Sequence, residues 1–273
     1  MWFGDTATTL FVLAAVGLMG LVTGCVLGRL SLGDPIGKLS ARIFARCQTC
    51  GHALTLSDCL PLVGWFASKG ACRYCGSATS ARQPLAELVC AGVFLAIAMV
   101  YGISVEAFEL MAFAALLLFV SLTDLDRRTI PNECIVLALA IRAAYLVGQQ
   151  AFGLASPDAI VYYVASGLGI ATMLLIFALV VGRISARESL GGGDLKLYLV
   201  AGFYFGWRQT MFLVFASCLI GVLAAVVETA GFSSSNNGRL QLEDLMSTAI
   251  PFGPAIAVAC VVTMLFGDAI ACF

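Results

Sequence analysis

Long apolar runs, broken only by short polar connections, constrain this chain more than any other feature. They lie near 9–29, 85–102, 107–123, 134–149, 159–182, 195–206, 209–229 and 250–272. A helix that crosses a bilayer needs about 20 mostly apolar residues and satisfies its backbone hydrogen bonds within itself. The pattern therefore predicts an all-α polytopic membrane protein of about eight transmembrane helices. Composition agrees, with 61% of residues hydrophobic and 11% charged, where a soluble domain carries roughly a quarter charged residues. The 195–206 run is too short for a full crossing, which predicts a broken or tilted helix or one that begins in a water-accessible cavity. The first run, Leu10 to Leu27, has no basic residue before it and Arg29 after it, so it reads as a retained first span. A net charge of −1 gives no electrostatic footprint for nucleic acid.

Orientation follows from the basic residues. The connections 30–84, 124–133, 183–194 and 230–249, with adjoining helix ends, hold thirteen of the fifteen Lys and Arg residues. Arg208 falls on the opposite side, and Arg142 lies inside a span. The segment 30–84 is therefore expected to be cytoplasmic, with both termini across the membrane. Three regions result: a first span at 1–29, a polar loop at 30–84, and a membrane-embedded bundle at 85–273.

The polar loop contains Cys47-Gln48-Thr49-Cys50 and Cys72-Arg73-Tyr74-Cys75, with 21 residues between the pairs. Two Cys-x-x-Cys pairs so spaced suit one tetrahedral zinc ion held by Cys47, Cys50, Cys72 and Cys75. Four thiolates leave no position for water, so such a zinc is structural. A reducing cytoplasm argues against disulfides; unligated thiols or a redox pair are the alternatives. His52 and Cys59 are spare ligand candidates. Of the eleven cysteines, Cys25, Cys90, Cys134, Cys218, Cys260 and Cys272 lie in or beside apolar runs, where they act as small hydrophobes.

Two acidic motifs border the membrane. Thr123-Asp124-Leu125-Asp126-Arg127-Arg128-Thr129-Ile130-Pro131-Asn132 follows one span, and Gly191-Gly192-Gly193-Asp194-Leu195-Lys196 opens the short run. An acid at membrane depth is costly and is by default a functional candidate. Two carboxyls sharing one proton allow one to act as base on water while the other protonates a carbonyl. The glycines before Asp194 permit close backbone approach. Read alone, the alternatives are a helix cap for Asp194 and a cap or interfacial acid for Asp124, while Asp126 with Arg127 and Arg128 reads as a solvated charge cluster. His52 is the single histidine and lies in the cysteine loop, so no Ser–His or Cys–His pair is available in the membrane. The sequence also lacks a nucleophile elbow and a phosphate-binding loop.

In their order and spacing these motifs resemble the type IV prepilin peptidases, bifunctional leader peptidases and N-methyltransferases of the GxGD-type intramembrane aspartyl class. The resemblance runs through the four cysteines, Asp58-Cys59-Leu60-Pro61-Leu62-Val63-Gly64-Trp65-Phe66 and Gly70-Ala71-Cys72-Arg73-Tyr74-Cys75. It continues through Ser80-Ala81-Arg82-Gln83-Pro84, Glu87, the Asp124 motif, Gly191-x-Gly193-Asp194 and Pro251-Phe252-Gly253-Pro254. It implies an aspartic endopeptidase of the bacterial inner membrane with Asp124 and Asp194 catalytic and facing the cytoplasm. The implied substrates are prepilins or type II secretion pseudopilins, cut between a basic leader and an apolar helix. The resemblance also implies methylation of the new N-terminus by S-adenosylmethionine. That polar donor is expected at the cytoplasmic loop and its flanks, including Asp58, Arg82 and Glu87. Family members with both activities usually carry a Gly-Ser-Phe-Leu-Asn-like run at the end of the first span, whereas this chain reads Gly24-Cys25-Val26-Leu27-Gly28-Arg29-Leu30. The alternative function is a membrane transporter or secretion-assembly component without peptidase activity, since broken helices and intramembrane acids also mark ion pathways.

Overall fold

The computed structural model describes residues 6–32, 47, 49–52, 60–185, 191–236 and 252–271. Asp58, Cys59, Pro251 and Cys272, the loop cations Lys38, Arg42, Arg46, Arg187 and Arg239, and the Glu228 side chain lie outside that description. Among the described residues eight helices follow in order: α1 (Thr6–Leu32), α2 (Val63–Ala67), α3 (Arg82–Tyr101), α4 (Val105–Arg127), α5 (Asn132–Ala151), α6 (Pro157–Ser185), α7 (Gly192–Asn236) and α8 (Gly253–Ala271). Six are long and apolar enough to cross a membrane, and α8 contributes a shorter apolar stretch. Two compact units divide the chain, Met1–Thr123 and Asp124–Phe273.

In the first unit α1 lies antiparallel on α3, and small residues set the spacing. Cβ atoms added at Gly20 and Gly24 would come within 2.6 Å of Ala91 Cα and 2.8 Å of Glu87 Cα. One added at Gly28 would reach 2.5 Å from the Gln83 side chain. The Gly-x-x-x-Gly-x-x-x-Gly ladder of α1 lets two backbones touch where lipid provides no hydrophobic drive for association. Gln83 Nε2 also donates to the Cys25 carbonyl at 2.9 Å.

The second unit is organised by a break in α7. Gly206 has φ 74° and ψ −176°, a left-handed conformation that glycine adopts without steric cost. The two limbs, 192–205 and 207–236, fold back on each other. Tyr198 and Ser217 hydroxyls meet at 2.7 Å, and Thr210 Oγ1 donates to the Ala201 carbonyl at 3.3 Å. The expected separate runs 195–206 and 209–229 are thus two limbs of one hairpin. At 1.5 Å per residue the first limb is about 20 Å long, shorter than a hydrocarbon core of about 30 Å.

Arg142, on α5, explains how the short limb ends inside an apolar bundle. It is buried, and it donates from Nε to the Phe203 carbonyl at 2.9 Å and from Nη2 to the Tyr204 carbonyl at 3.0 Å. These carbonyls lie just before the Gly206 break, where helical partners run out and the dipole's negative end points. The guanidinium also sits 4.5 Å from the Tyr163 ring centroid and 5.2 Å from that of Tyr204. Losing charged hydrogen bonds at a buried site costs about 3 kcal/mol. Arg142→Met is therefore expected to lower stability by about that amount. The check is thermal or denaturant unfolding in detergent; an unchanged midpoint would show that the limb ends without this cap.

Candidate active site and four-cysteine centre

Asp124 sits in the last turn of α4, which closes when the Arg128 N–H donates to the Asp124 carbonyl at 2.9 Å. Arg128 takes a left-handed φ of 52°, the conformation that commonly ends helices. The turn leaves the Asp124 side chain buried. Its Oδ2 accepts the Gly253 N–H at 2.8 Å, so the first residue of α8 holds the carboxyl at that helix's positive end. Contact is so close that a Cβ at Gly253 would stand 2.7 Å from Oδ2.

Asp194 occupies the third position of α7 and is half-buried. It is not the cap residue itself. Its carboxyl turns back toward the Gly191 N–H, the acidic half of a capping box. An added Cβ at Gly191 would lie 3.1 Å from Oδ2.

The two motifs meet. Lys196 Nζ donates to Asn132 Oδ1 at 2.7 Å. Gly193 packs against Ile130, which an added Cβ would approach to 3.0 Å. Asp124 and Asp194 lie close enough for their carboxyls to interact electrostatically. Glycine at 191 and 193 thus lets Asp194 and the chain after Asp124 approach each other. Such an arrangement can polarise a water and a carbonyl together. Sequence reasoning missed the Gly253 N–H, although Pro251-Phe252-Gly253-Pro254 stood out as a motif, and it gave Arg142 and Lys196 no role.

Because Gly253 orients Asp124, Gly253→Ala is expected to slow the leader cleavage that the motif resemblance implies about 10- to 100-fold, the scale on which small misplacements of reacting groups act. Initial rates on a leader-bearing pilin test this; an unchanged rate would remove the contact from the working geometry.

In the first unit the Cys47, Cys50, Cys72 and Cys75 sulfurs all lie within 4.8 Å of one another. Cys47 and Cys75 are 3.7 Å apart, against about 3.8 Å between sulfurs of a tetrahedral site with Zn–S near 2.3 Å. Two matching turns produce this. Gly51 N–H donates to the Cys47 carbonyl at 2.8 Å, and Gly76 N–H to that of Cys72 at 2.9 Å. Cys47 N–H reaches the His52 carbonyl, and Cys72 N–H that of Ser77. Gly51 and Gly76, with φ 69° and 72°, follow the second cysteine of each pair and supply the left-handed turn. The Cys50 and Thr49 backbone N–H groups, then the Ser77 hydroxyl, pull the Cys47 thiol down to about 5. The Ser77 hydroxyl also lowers Cys75. Cys50 goes the other way, up to about 11, because the His52 backbone N–H that lowers it is outweighed by desolvation and the neighbouring thiols. A metal requires thiolates, and the four sulfurs together fit a tetrahedral ion. His52 stacks on Tyr74 at 3.6 Å between centroids.

A helical membrane bundle in which two acidic motifs meet, together with a four-thiol cluster, defines the class. Two family models match: the bacterial peptidase A24 N-terminal domain over residues 18–101, and the type IV leader peptidase family over residues 111–226. The first spans the cysteines, the second both aspartates. A prepilin leader peptidase/N-methyltransferase of Pseudomonas putida is 32% identical over 226 residues, 83% of this chain and 73% of the relative. One from Bacillus subtilis (strain 168) is 34% identical over 229 residues, 83% of each chain. No solved structure matches. This chain belongs to the type IV leader peptidase family. It is a multi-pass membrane peptidase, as the motif resemblance implied, and the transporter alternative is not favoured.

Proposed function

We propose that Asp124 and Asp194 form the proteolytic pair, open to the cytoplasm, that cuts the basic leader from prepilins or type II secretion pseudopilins. The observation that carries this reading is the convergence of the two acidic motifs on one another and of Asp124 on the α8 N-terminus. The cytoplasmic orientation rests on the thirteen basic residues that flank one set of connections. A prepilin keeps its charged leader in that compartment and its apolar helix in the bilayer, which brings the scissile bond to the ends of these helices.

One carboxylate takes a proton from water as its oxygen adds to the peptide carbonyl, and the other carboxyl protonates the carbonyl oxygen. Collapse breaks the C–N bond; a proton passes to the departing nitrogen. The product is a pilin with a new N-terminal amine. That amine is the acceptor for the chain's second activity, methylation from S-adenosylmethionine, a reading supported by the relatives' shared name. A structural zinc, held by Cys47, Cys50, Cys72 and Cys75, would tie the two turns together and leave no ligand position for chemistry. Membrane lipid is the bundle's surrounding partner.

Purified protein incubated with a leader-bearing pilin and S-adenosylmethionine is expected to yield the shortened product carrying one methyl group. Mass spectrometry of the product's first residue reads both steps. An intact pilin would overturn the peptidase reading; a shortened but unmethylated product would overturn the second activity alone.

A further inference from the structure

The first unit contains a cavity of about 330 Å³ beside the four-cysteine cluster, within the size range of small-molecule sites. It lies among the end of α1, α2, the cysteine turns and the start of α3, with Arg29, Trp65, Arg73, Arg82, Gln83 and Glu87 on its walls. We propose that this cavity is the S-adenosylmethionine site, with Trp65 and Glu87 as its recognition residues. The assignment rests on the methyltransferase reading above.

Trp65 Nε1 is buried and lacks a hydrogen-bond partner, and a buried indole N–H without an acceptor carries a desolvation penalty. A ligand acceptor in the cavity removes that penalty. The indole is held in place by Gly70, where φ is 68° and an added Cβ would lie 3.0 Å from the ring.

Glu87 supplies the second feature. It is only 3% exposed, and it accepts hydrogen bonds from two neutral donors. The Leu62 N–H lies 2.7 Å from Oε2, and Gln83 Nε2 lies 3.1 Å from Oε1. The Leu62 backbone takes φ 58°, a strained conformation for a branched side chain, and strain of this kind concentrates at ligand sites. A buried carboxyl with neutral partners is stabilised by a cation brought into the cavity, and the methyl donor carries a sulfonium. Its own carboxylate matches the arginine-lined wall, where Arg82 is fixed by donating to the Leu122 carbonyl at 2.6 Å. In the transfer the C–S bond breaks with its electron pair left on sulfur, the pilin amine forms the new N–C bond, and that nitrogen releases a proton.

The ladder of α1 borders the same place. Gly24 and Gly28 pack on Glu87 and Gln83, so the stretch that departs from the family's Gly-Ser-Phe-Leu-Asn-like run forms the backing of this cavity.

The test is equilibrium binding, by calorimetry on the full-length chain in detergent, of S-adenosylmethionine and of S-adenosylhomocysteine, which lacks the sulfonium charge. Glu87→Gln is expected to weaken the donor at least tenfold and the uncharged product much less. Trp65→Phe, which keeps an aromatic ring but removes the N–H, is expected to weaken both ligands by similar factors of about five to ten. Circular dichroism melts and elution profiles establish that each variant is folded. Unchanged donor affinity in both folded variants overturns the location and leaves the methyltransferase reading standing. Failure of the unmutated chain to bind either ligand overturns both. Should Glu87→Gln fail to fold, Trp65→Phe alone decides: unchanged affinity refutes the site.

Discussion

Asp124→Asn and Asp194→Asn are each expected to reduce leader cleavage by at least about a thousandfold, within the range contributed by positioned acid–base groups. A single carboxyl cannot both take the proton from water and donate one to the carbonyl, so either change removes a required half of the pair. Neither change is expected to unfold the bundle. Asparagine at 124 retains an oxygen to accept the Gly253 N–H, and asparagine at 194 retains one for the Gly191 N–H. Asp126→Asn serves as the comparison, since Asp126 is an exposed interfacial residue, and its effect is expected to stay within about threefold, as for surface substitutions generally. Rates are read on purified protein with a leader-bearing pilin, with elution profiles reporting assembly. Full activity in either asparagine variant would remove that residue from the pair and leave Asp194 as a helix cap or Asp124 as an interfacial acid.

Much of the helical framework was readable because membrane spans write themselves as long apolar runs. The runs 85–102 and 134–149 correspond to α3, Arg82–Tyr101, and α5, Asn132–Ala151, and the short 195–206 run marked a limb that ends at Gly206. The candidate site was only half readable. Acids and glycines announce themselves by being out of place among apolar residues. A backbone N–H does not: Gly253 lies 129 residues from Asp124, and no periodicity links them. Arg142 looked like an anomaly inside a span, because the carbonyls it caps exist only once Gly206 has broken the helix. The α1 ladder was equally quiet, since Gly20, Gly24 and Gly28 become informative when α3 lies against them. In the cysteine loop the thiol spacing suggested a metal. Gly51 and Gly76 were the further clue, each supplying the positive φ that closes its turn.

The four-cysteine centre yields the other large effect. Purified protein is expected to carry about one zinc per chain, and serine at Cys47, Cys50, Cys72 or Cys75 is expected to bring metal content close to zero. Apparent zinc-binding free energies in small cysteine-rich folds are about 10–16 kcal/mol. Here two short turns and the backbone bridge between Ala71 and Ala78 have little apolar core of their own, so most of that energy is available to hold them together. Loss of the metal is therefore expected to expose residues 60–79 to limited proteolysis while α3 and the second unit resist digestion. Elemental analysis and a proteolysis time course read the two effects separately. Metal-free protein with full activity and an uncut loop would refute a structural zinc. Cys47 and Cys72 also line the 330 Å³ cavity, so stripping the ion with a chelator is expected to lower S-adenosylmethionine affinity as the turns loosen. Restoring zinc is expected to recover it. Donor affinity that ignores the metal would mean that the cavity holds its shape through α1 and α3 alone.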